Sequence, residues 1–581
     1  MPEHTPLSWP HRSSSPTSER AAAVRYRTAG LVVGAATALI LSVGLTEPAS
    51  AAIAPPPKPR PNTIPVKPPA QPARVMWPTS GAPAPAVPRI RWQRCEEASQ
   101  RKLGLTCATV KVPLDYAAPG KASILLNVVR HKATAKKSKG VLFVNPGGPG
   151  TSTIEHMEQF LTTLGRPVTS TFDVIGMDPR GVGVDSLAGC WSRTEAPDGV
   201  SSFPVTTSEA KKQIARDSFE RKACAATGRP IIDHMSTGNV ARDMDLIRQA
   251  VGDRALSYYG VSYGTVLGAT YAAMFPTKVR GIILDGVVDP VDWTTGRGRQ
   301  SSRIPVSTRT GSGAASDESL RAVFAACKAA GKTRCPHGAT IASEWDRLLK
   351  ALSSGPVTVG DETYTKADTI GAAMANLYST EEIPSMLDWI HDEYLTVVAK
   401  SSPPVSAPRA SGAPKLALRR RTPGPLVSPV VAQPDSSRWF DTFKQAGVMC
   451  SDSKNPADAM TWHRYATASA KNSWFTPLWT WQSSLCAGWP GSRRDAYVGP
   501  FNVRPAHPLL VVGNTHDPAT PYANARRVAA LSPGARLLTV DTFGHTAADQ
   551  SPCATKAMQR YLLTGALPPE GLVCKAGKPL F

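Results

Sequence analysis

Short, uninterrupted apolar runs recur along the chain at Ala122–Val129, Val141–Val144, Phe172–Met177, Ala255–Tyr259, Val279–Leu284, Leu509–Val512 and Leu537–Val540. Continuous runs of this length fit strands that are covered on both faces. Helical spacing lies between them: Val240, Met244, Ile247 and Val251 form one stripe of residues 237–251, as an amphipathic helix requires. Strands alternating with helices predict an α/β fold around a mostly parallel sheet. The rhythm lapses between Trp293 and about Pro500. That segment carries helical stretches at Leu320–Ala330 and Ile341–Leu352 and the aromatics Trp474, Trp479 and Trp481. It predicts a mainly helical cap domain inserted between two parts of the sheet.

Composition trims the ends of this picture. Of 581 residues, the first 51 read as a signal peptide. Arg25 and Arg27 precede an apolar stretch from Ala29 to Leu45, and Pro48-Ala49-Ser50-Ala51 offers a small-residue cleavage site. That stretch is short for a bilayer span and rich in Gly, Ala, Ser and Thr. No stable membrane insertion is therefore expected after cleavage. Residues 52–90 form a Pro-rich linker, and 401–437 a Pro/Arg-rich insertion expected to be disordered. The sheet domain is then assigned to 91–292 and 501–581, and the cap to 293–500.

The ten cysteines fall into five neighbouring couples: 95 with 107, 190 with 224, 327 with 335, 450 with 486 and 553 with 574. An even count in an exported chain predicts disulfides, although sequence alone leaves the connectivity open. No Cys/His spacing suggests zinc, and neither metal nor cofactor is expected. The formal charge of +22 is concentrated partly in segments without a core, such as Arg419-Arg420-Arg421. It predicts loose attraction to an anionic cell wall. Without a groove-reading motif or a basic stripe interleaved with aromatics, nucleic acid is not an expected partner.

The chemistry starts at Gly260-Val261-Ser262-Tyr263-Gly264, a G-x-S-x-G pattern between a predicted strand and the helical stretch Thr265–Phe275. A serine hydroxyl is a weak nucleophile unless it is exposed, held rigidly and deprotonated by a neighbour. A sharp strand-to-helix turn supplies the first two conditions. Ser262 is the candidate nucleophile. In this arrangement the chain order is serine, acid, histidine. His545, after the last predicted strand, is the candidate base, with His516 and His507 as rivals. Asp517, after the penultimate strand, is the candidate acid, with Asp285 as runner-up. The oxyanion needs fixed N–H donors. One is expected from Tyr263, the residue after the nucleophile. The other is expected from the loop Gly147-Gly148-Pro149-Gly150, with Gly148 preferred and Gly147 second.

Taken together, Asn145-Pro146-Gly147-Gly148-Pro149-Gly150, Gly176-Met177-Asp178-Pro179-Arg180-Gly181, Gly260-Val261-Ser262-Tyr263-Gly264-Thr265, Leu284-Asp285-Gly286-Val287-Val288-Asp289-Pro290 and the Asp517/His545 tail resemble the secreted actinobacterial tripeptidyl aminopeptidases. These lie within the prolyl-aminopeptidase-like branch of the α/β-hydrolases. The resemblance runs from about Arg91 to Phe581, except for the Pro-rich insertion. It implies an α/β-hydrolase fold, a Ser262–Asp517–His545 triad, and release of tripeptides, or of esters and amides of similar shape, from substrate N-termini. The partners it implies are peptides with a free N-terminus. Such peptides bring an α-ammonium that carboxylates must hold, and Asp317, Glu318 and Glu344 are the cap candidates. Two other readings remain open: an esterase or lipase using the same residues, and a non-catalytic cell-surface binder.

Overall fold

The computed structural model describes residues 84–399, 438–440 and 442–581. The expected signal peptide, most of the linker and the 401–437 insertion lie outside the described residues. Ten strands form one sheet: β1 (Gln93–Arg94), β2 (Leu105–Pro113), β3 (Ser123–His131), β4 (Val141–Asn145), β5 (Asp173–Met177), β6 (Leu256–Val261), β7 (Val279–Asp285), β8 (Leu510–His516), β9 (Arg536–Phe543) and β10 (Val573–Lys575). Their spatial order is β1-β2-β3-β5-β4-β6-β7-β8-β9-β10. From β5 to β10 every pairing is parallel, and β1, β2 and β3 join antiparallel at one edge. Each apolar run noted above is one of these strands. The polar-interrupted β2 and the short β1 and β10 were not marked by any such run.

Side chains alternate across the sheet as strand geometry demands. On β4, Val141 and Phe143 enter one apolar cluster, while Leu142 and Val144 enter another. The first cluster is covered by α3 (Thr237–Ala250), α4 (Gly264–Met274) and α12 (Tyr522–Leu531). The second is covered by α1 (Met157–Thr169) and α13 (Pro552–Thr564). Helices on both faces explain why the parallel strands read as continuous apolar runs. The helix α3 begins where the Ser236 hydroxyl accepts the Asn239 N–H, a side-chain N-cap.

Between β7 and β8 the chain forms a largely helical layer. It contains α5 (Ser312–Ala330), α6 (Ile341–Leu352), α7 (Lys366–Asn376), α8 (Ile383–Tyr394), α9 (Thr442–Asp452), α10 (Met460–Ser469) and α11 (Thr476–Trp481), with a small hairpin of Val357–Val359 and Glu362–Tyr364. Its core is aromatic, with Trp345, Trp462 and Phe475 fully buried. Residues between β5 and β6 share that core. Cys190, Phe203 and Ile232, together with Ala210 and Cys224 of α2 (Thr207–Thr227), belong to the same cluster. Two stretches of the chain, before β6 and after β7, thus pack into one apolar cluster.

All ten cysteines are paired, as Cys95–Cys107, Cys190–Cys224, Cys327–Cys335, Cys450–Cys486 and Cys553–Cys574. Among the described residues, no helix is long and apolar enough to cross a membrane.

Candidate active site

The site lies at the C-terminal ends of β6, β7, β8 and β9. Ser262 follows β6 directly and has a φ of +57°, one of two positive values at non-glycine positions among the described residues. An L-residue held there carries about 1–3 kcal/mol of backbone strain. Its surroundings hold it: the Ser262 N–H donates to the Asp285 carbonyl at 3.0 Å, and its own carbonyl accepts from Thr265 N at 2.9 Å and Thr265 Oγ1 at 2.6 Å. The turn is too crowded for side chains on both flanks. A Cβ on Gly264 would lie 2.6 Å from the Asn145 carbonyl oxygen, and one on Gly260 would strike the Gly264 carbonyl.

The loop after β4 closes over the same turn. Gly147, with φ of +90°, lies so near that a Cβ would sit 2.8 Å from Tyr263 N and 3.0 Å from Ser262 Cβ. Glycine is thus required for the approach of loop to elbow. The Gly147 N–H is itself used, donating to Asn145 Oδ1 at 3.1 Å. The buried Tyr263 ring packs on Trp293, with centroids 5.3 Å apart, and its hydroxyl meets Thr237 Oγ1. Thr237 N donates in turn to Asp452 Oδ1 at 2.7 Å, and Trp293 Nε1 to Asp452 Oδ2 at 3.0 Å. Burial pushes the Asp452 carboxyl up to about 6. Sequence reasoning had not marked Asp452 or Thr237, which tie the elbow to cap helix α9.

Asp517 follows β8 and His545 follows β9. His545 Nδ1 lies 3.0 and 2.9 Å from the two Asp517 carboxylate oxygens. Asp517 also accepts from Ala519 N at 2.9 Å, Thr520 N at 2.9 Å and Thr520 Oγ1 at 2.8 Å. The opposite ring nitrogen, His545 Nε2, is buried without a hydrogen-bond partner. The ring rests on Gly286, where a Cβ would lie 3.0 Å from His545 Cε1. Gly286 follows Asp285, whose carbonyl holds the Ser262 amide, so serine and histidine flank one turn. Burial pulls the imidazole pKa down, but the charges of Asp517 and Asp285 outweigh it and raise the value above the ordinary histidine range.

The runner-up acid has other partners. Asp285 is fully buried and accepts from Ala547 N at 3.0 Å and from the Tyr259 hydroxyl at 3.1 Å. Burial raises its carboxyl to about 6. Ala547 ends a turn containing Thr546, the other positive-φ residue at +73°. Asn514 donates to the carbonyls of Gly544 at 3.0 Å and Thr546 at 2.7 Å, bracketing His545. Of the rival histidines, His516 pairs with Glu318 at 2.8 Å and stacks on Phe543, while His507 is on the surface.

The carboxylates expected to hold an α-ammonium are dispersed and engaged. Asp317 Oδ1 accepts the Trp474 and Phe475 N–H groups at 2.8 and 3.3 Å, Glu318 pairs with His516, and Glu344 lies 2.9 Å from His391 Nδ1. Asp115, His234 and Asp495 also converge. However, Arg494 Nη2 donates to Asp115 at 2.9 Å and Asn239 donates to Asp495 at 3.0 Å, so these charges already have partners.

A mostly parallel sheet flanked by helices, with an elbow serine at one strand end and a carboxylate–imidazole pair at the next two, defines an α/β-hydrolase. Residues 140–305 match the alpha/beta hydrolase fold family and residues 472–574 the TAP-like protein family. Tripeptidyl aminopeptidase of Streptomyces coelicolor is 29% identical over 507 residues, covering 84% of this chain and 86% of that one. Serine protease Hip1 of Mycobacterium tuberculosis is 30% identical over 534 residues, covering 86% and 93%. Carboxylesterase B of the same organism is 30% identical over 526 residues, covering 85% and 92%. The chain belongs to the tripeptidyl-aminopeptidase family of α/β-hydrolases and is a serine hydrolase.

Proposed function

We propose that this protein is an exported serine exopeptidase that releases short peptides, tripeptides by analogy with its named relatives, from free N-termini through an acyl-enzyme on Ser262. The observation that carries the reading is the oriented imidazole. Nδ1 is fixed by Asp517, and Nε2 is left without a partner, on the turn that also holds the serine backbone.

In this reading Ser262 Oγ attacks the scissile carbonyl and His545 Nε2 takes its proton. Asp517 keeps the other nitrogen protonated and stabilises the imidazolium. The oxyanion is met by the Tyr263 N–H and by Gly148, because Gly147 already spends its N–H on Asn145. Each such donor is worth about 3–4 kcal/mol in the transition state. His545 then returns the proton to the leaving amine, and a water molecule releases the acyl group by the same route in reverse. The five disulfides support export to an oxidising compartment.

Two measurements test this. A fluorophosphonate probe is expected to label the wild type and not Ser262→Ala; labelling of the variant would place the nucleophile elsewhere. A tripeptide anilide with a free N-terminus is expected to be cleaved much faster than its N-acetylated form. Equal rates would favour the second reading, a carboxylesterase using the same residues. That reading draws on the relative named carboxylesterase B and on the engagement of Asp317, Glu318 and Glu344 elsewhere.

A further inference from the structure

A cavity of about 470 Å³ opens in the cap between the segment before α2 and the helices α7 and α11, with Tyr378 in its wall. That volume lies within the range of pockets that enclose small ligands, about 300–1,000 Å³. Two of its walls are fastened to the loops of the candidate active site. Tyr378 meets the His545 ring edge-on with centroids 5.1 Å apart, and its carbonyl accepts the His545 N–H at 2.9 Å. Trp479 Nε1 donates to Ser316 Oγ at 2.9 Å. That hydroxyl lies 3.1 Å from Met374 Sδ and donates at 2.7 Å to the carbonyl of Pro518, the residue after Asp517. Tyr378 therefore stands between the cavity and the imidazole, one residue shared by the cavity wall and the candidate active site.

The wall is mixed but uncharged. Pro204, Met374, Leu478, Trp479 and Trp481 supply apolar surface, and none of the lining residues carries a charge. Most of the polar groups are already engaged. Gln213 accepts from Val200 N at 3.3 Å and donates to Asp217 at 2.8 Å, and Ser202 Oγ donates to Asp368 at 2.8 Å. A charged side chain placed there would lose hydration without gaining a counter-ion, whereas an apolar one gains by leaving water.

Building on the serine-hydrolase reading above, we infer that this cavity is a specificity pocket for an uncharged apolar side chain, aromatic or branched, of one of the substrate residues on the acyl side of the scissile bond. Apolar recognition without a carboxylate also separates this subsite from whatever holds an α-ammonium.

The test uses tripeptide anilides, free and N-acetylated, in which Phe, Ala or Asp occupies each position in turn. The wild type is expected to prefer Phe over Asp at one position by at least about tenfold in kcat/KM, the range that apolar pockets deliver. Ala375 lines the cavity from α7 and is exposed, so a larger side chain there burdens the fold little. Ala375→Trp is expected to cut the Phe-to-Ala ratio at that position about tenfold, while Gln482→Lys shifts preference toward Asp. The readout is a ratio, so a general loss of activity cancels. The Phe-to-Asp ratio reports on the pocket, and the free-to-acetylated ratio reports independently on the exopeptidase reading. A wild type indifferent to Phe and Asp at every position would overturn the pocket, as would an Ala375→Trp protein that melts normally and keeps the wild-type ratio.

Discussion

The strand ends that carry Ser262, Asp517 and His545 and the cap above them are stabilised by different means. At the strand ends, the important groups are fixed by hydrogen bonds from main chain. Ser262 is held through its amide and carbonyl, Asp517 by two loop amides besides the imidazole, and Asp285 by the amide of Ala547. The cap instead coheres through a large apolar cluster and three disulfides, Cys190–Cys224, Cys327–Cys335 and Cys450–Cys486. Its carboxylates serve as local fasteners. Directional bonds tolerate little displacement, whereas apolar packing accepts many shapes of comparable volume. On the proposed function, chemistry would rest on the directional contacts and substrate choice on the apolar packing.

Substitutions can break or sharpen this contrast. The largest effect is expected from Asp517→Asn, which lets the imidazole adopt the wrong tautomer. kcat should fall by roughly 10³- to 10⁴-fold with KM little changed. A loss confined to KM would remove Asp517 from the chemistry. A smaller effect is expected from Asp285→Asn, which removes a second negative charge near His545 and weakens its hold on Ala547. kcat should drop by about tenfold, the size of one charge-assisted hydrogen bond.

The pH profile separates the two roles of Asp285. In the proposed mechanism activity needs neutral His545, so the rate is expected to fall as pH drops through the imidazole pKa. In the wild type that pKa is raised, because burial is outweighed by Asp517 and Asp285. The acid limb should therefore stand above the ordinary imidazole range and move to lower pH in Asp285→Asn. An unmoved limb would reduce Asp285 to a structural support. The smallest effect is expected from Asp317→Ala in the cap. It should cost about 1–3 kcal/mol in thermal or urea unfolding, as loss of a buried hydrogen-bond acceptor does, and leave the free-to-acetylated ratio unaltered. A collapse of that ratio would return Asp317 to α-ammonium binding.

The same contrast governs how much could be read from the sequence. Ser262 was legible because its constraints are local: glycines two residues away on each side, a strand before and a helix after. The buried strands were legible because covering both faces leaves them apolar throughout. Asp317, Glu318 and Glu344 were attractive as ammonium ligands, yet their real partners are the Trp474 and Phe475 amides, His516 and His391. Those partners are 47 to 198 residues distant. No periodicity reports such pairings, which arise when separate segments pack. The contribution of Cys190, Phe203 and Ile232 to the cap core was hidden for the same reason, and so was the place of Tyr378 against His545. Asp285 was noticed as a strand-end acid, but its anchoring of the turn after His545 depends on β7 and β9 ending at the same level.

The bond between the His545 amide and the Tyr378 carbonyl crosses from one region to the other. A cap swung far enough to admit a folded polypeptide would break it and loosen the loop that aims the imidazole. Under the proposed function, a substrate bulky enough to displace the cap would loosen the imidazole, whereas a chain end that leaves the cap in place would not.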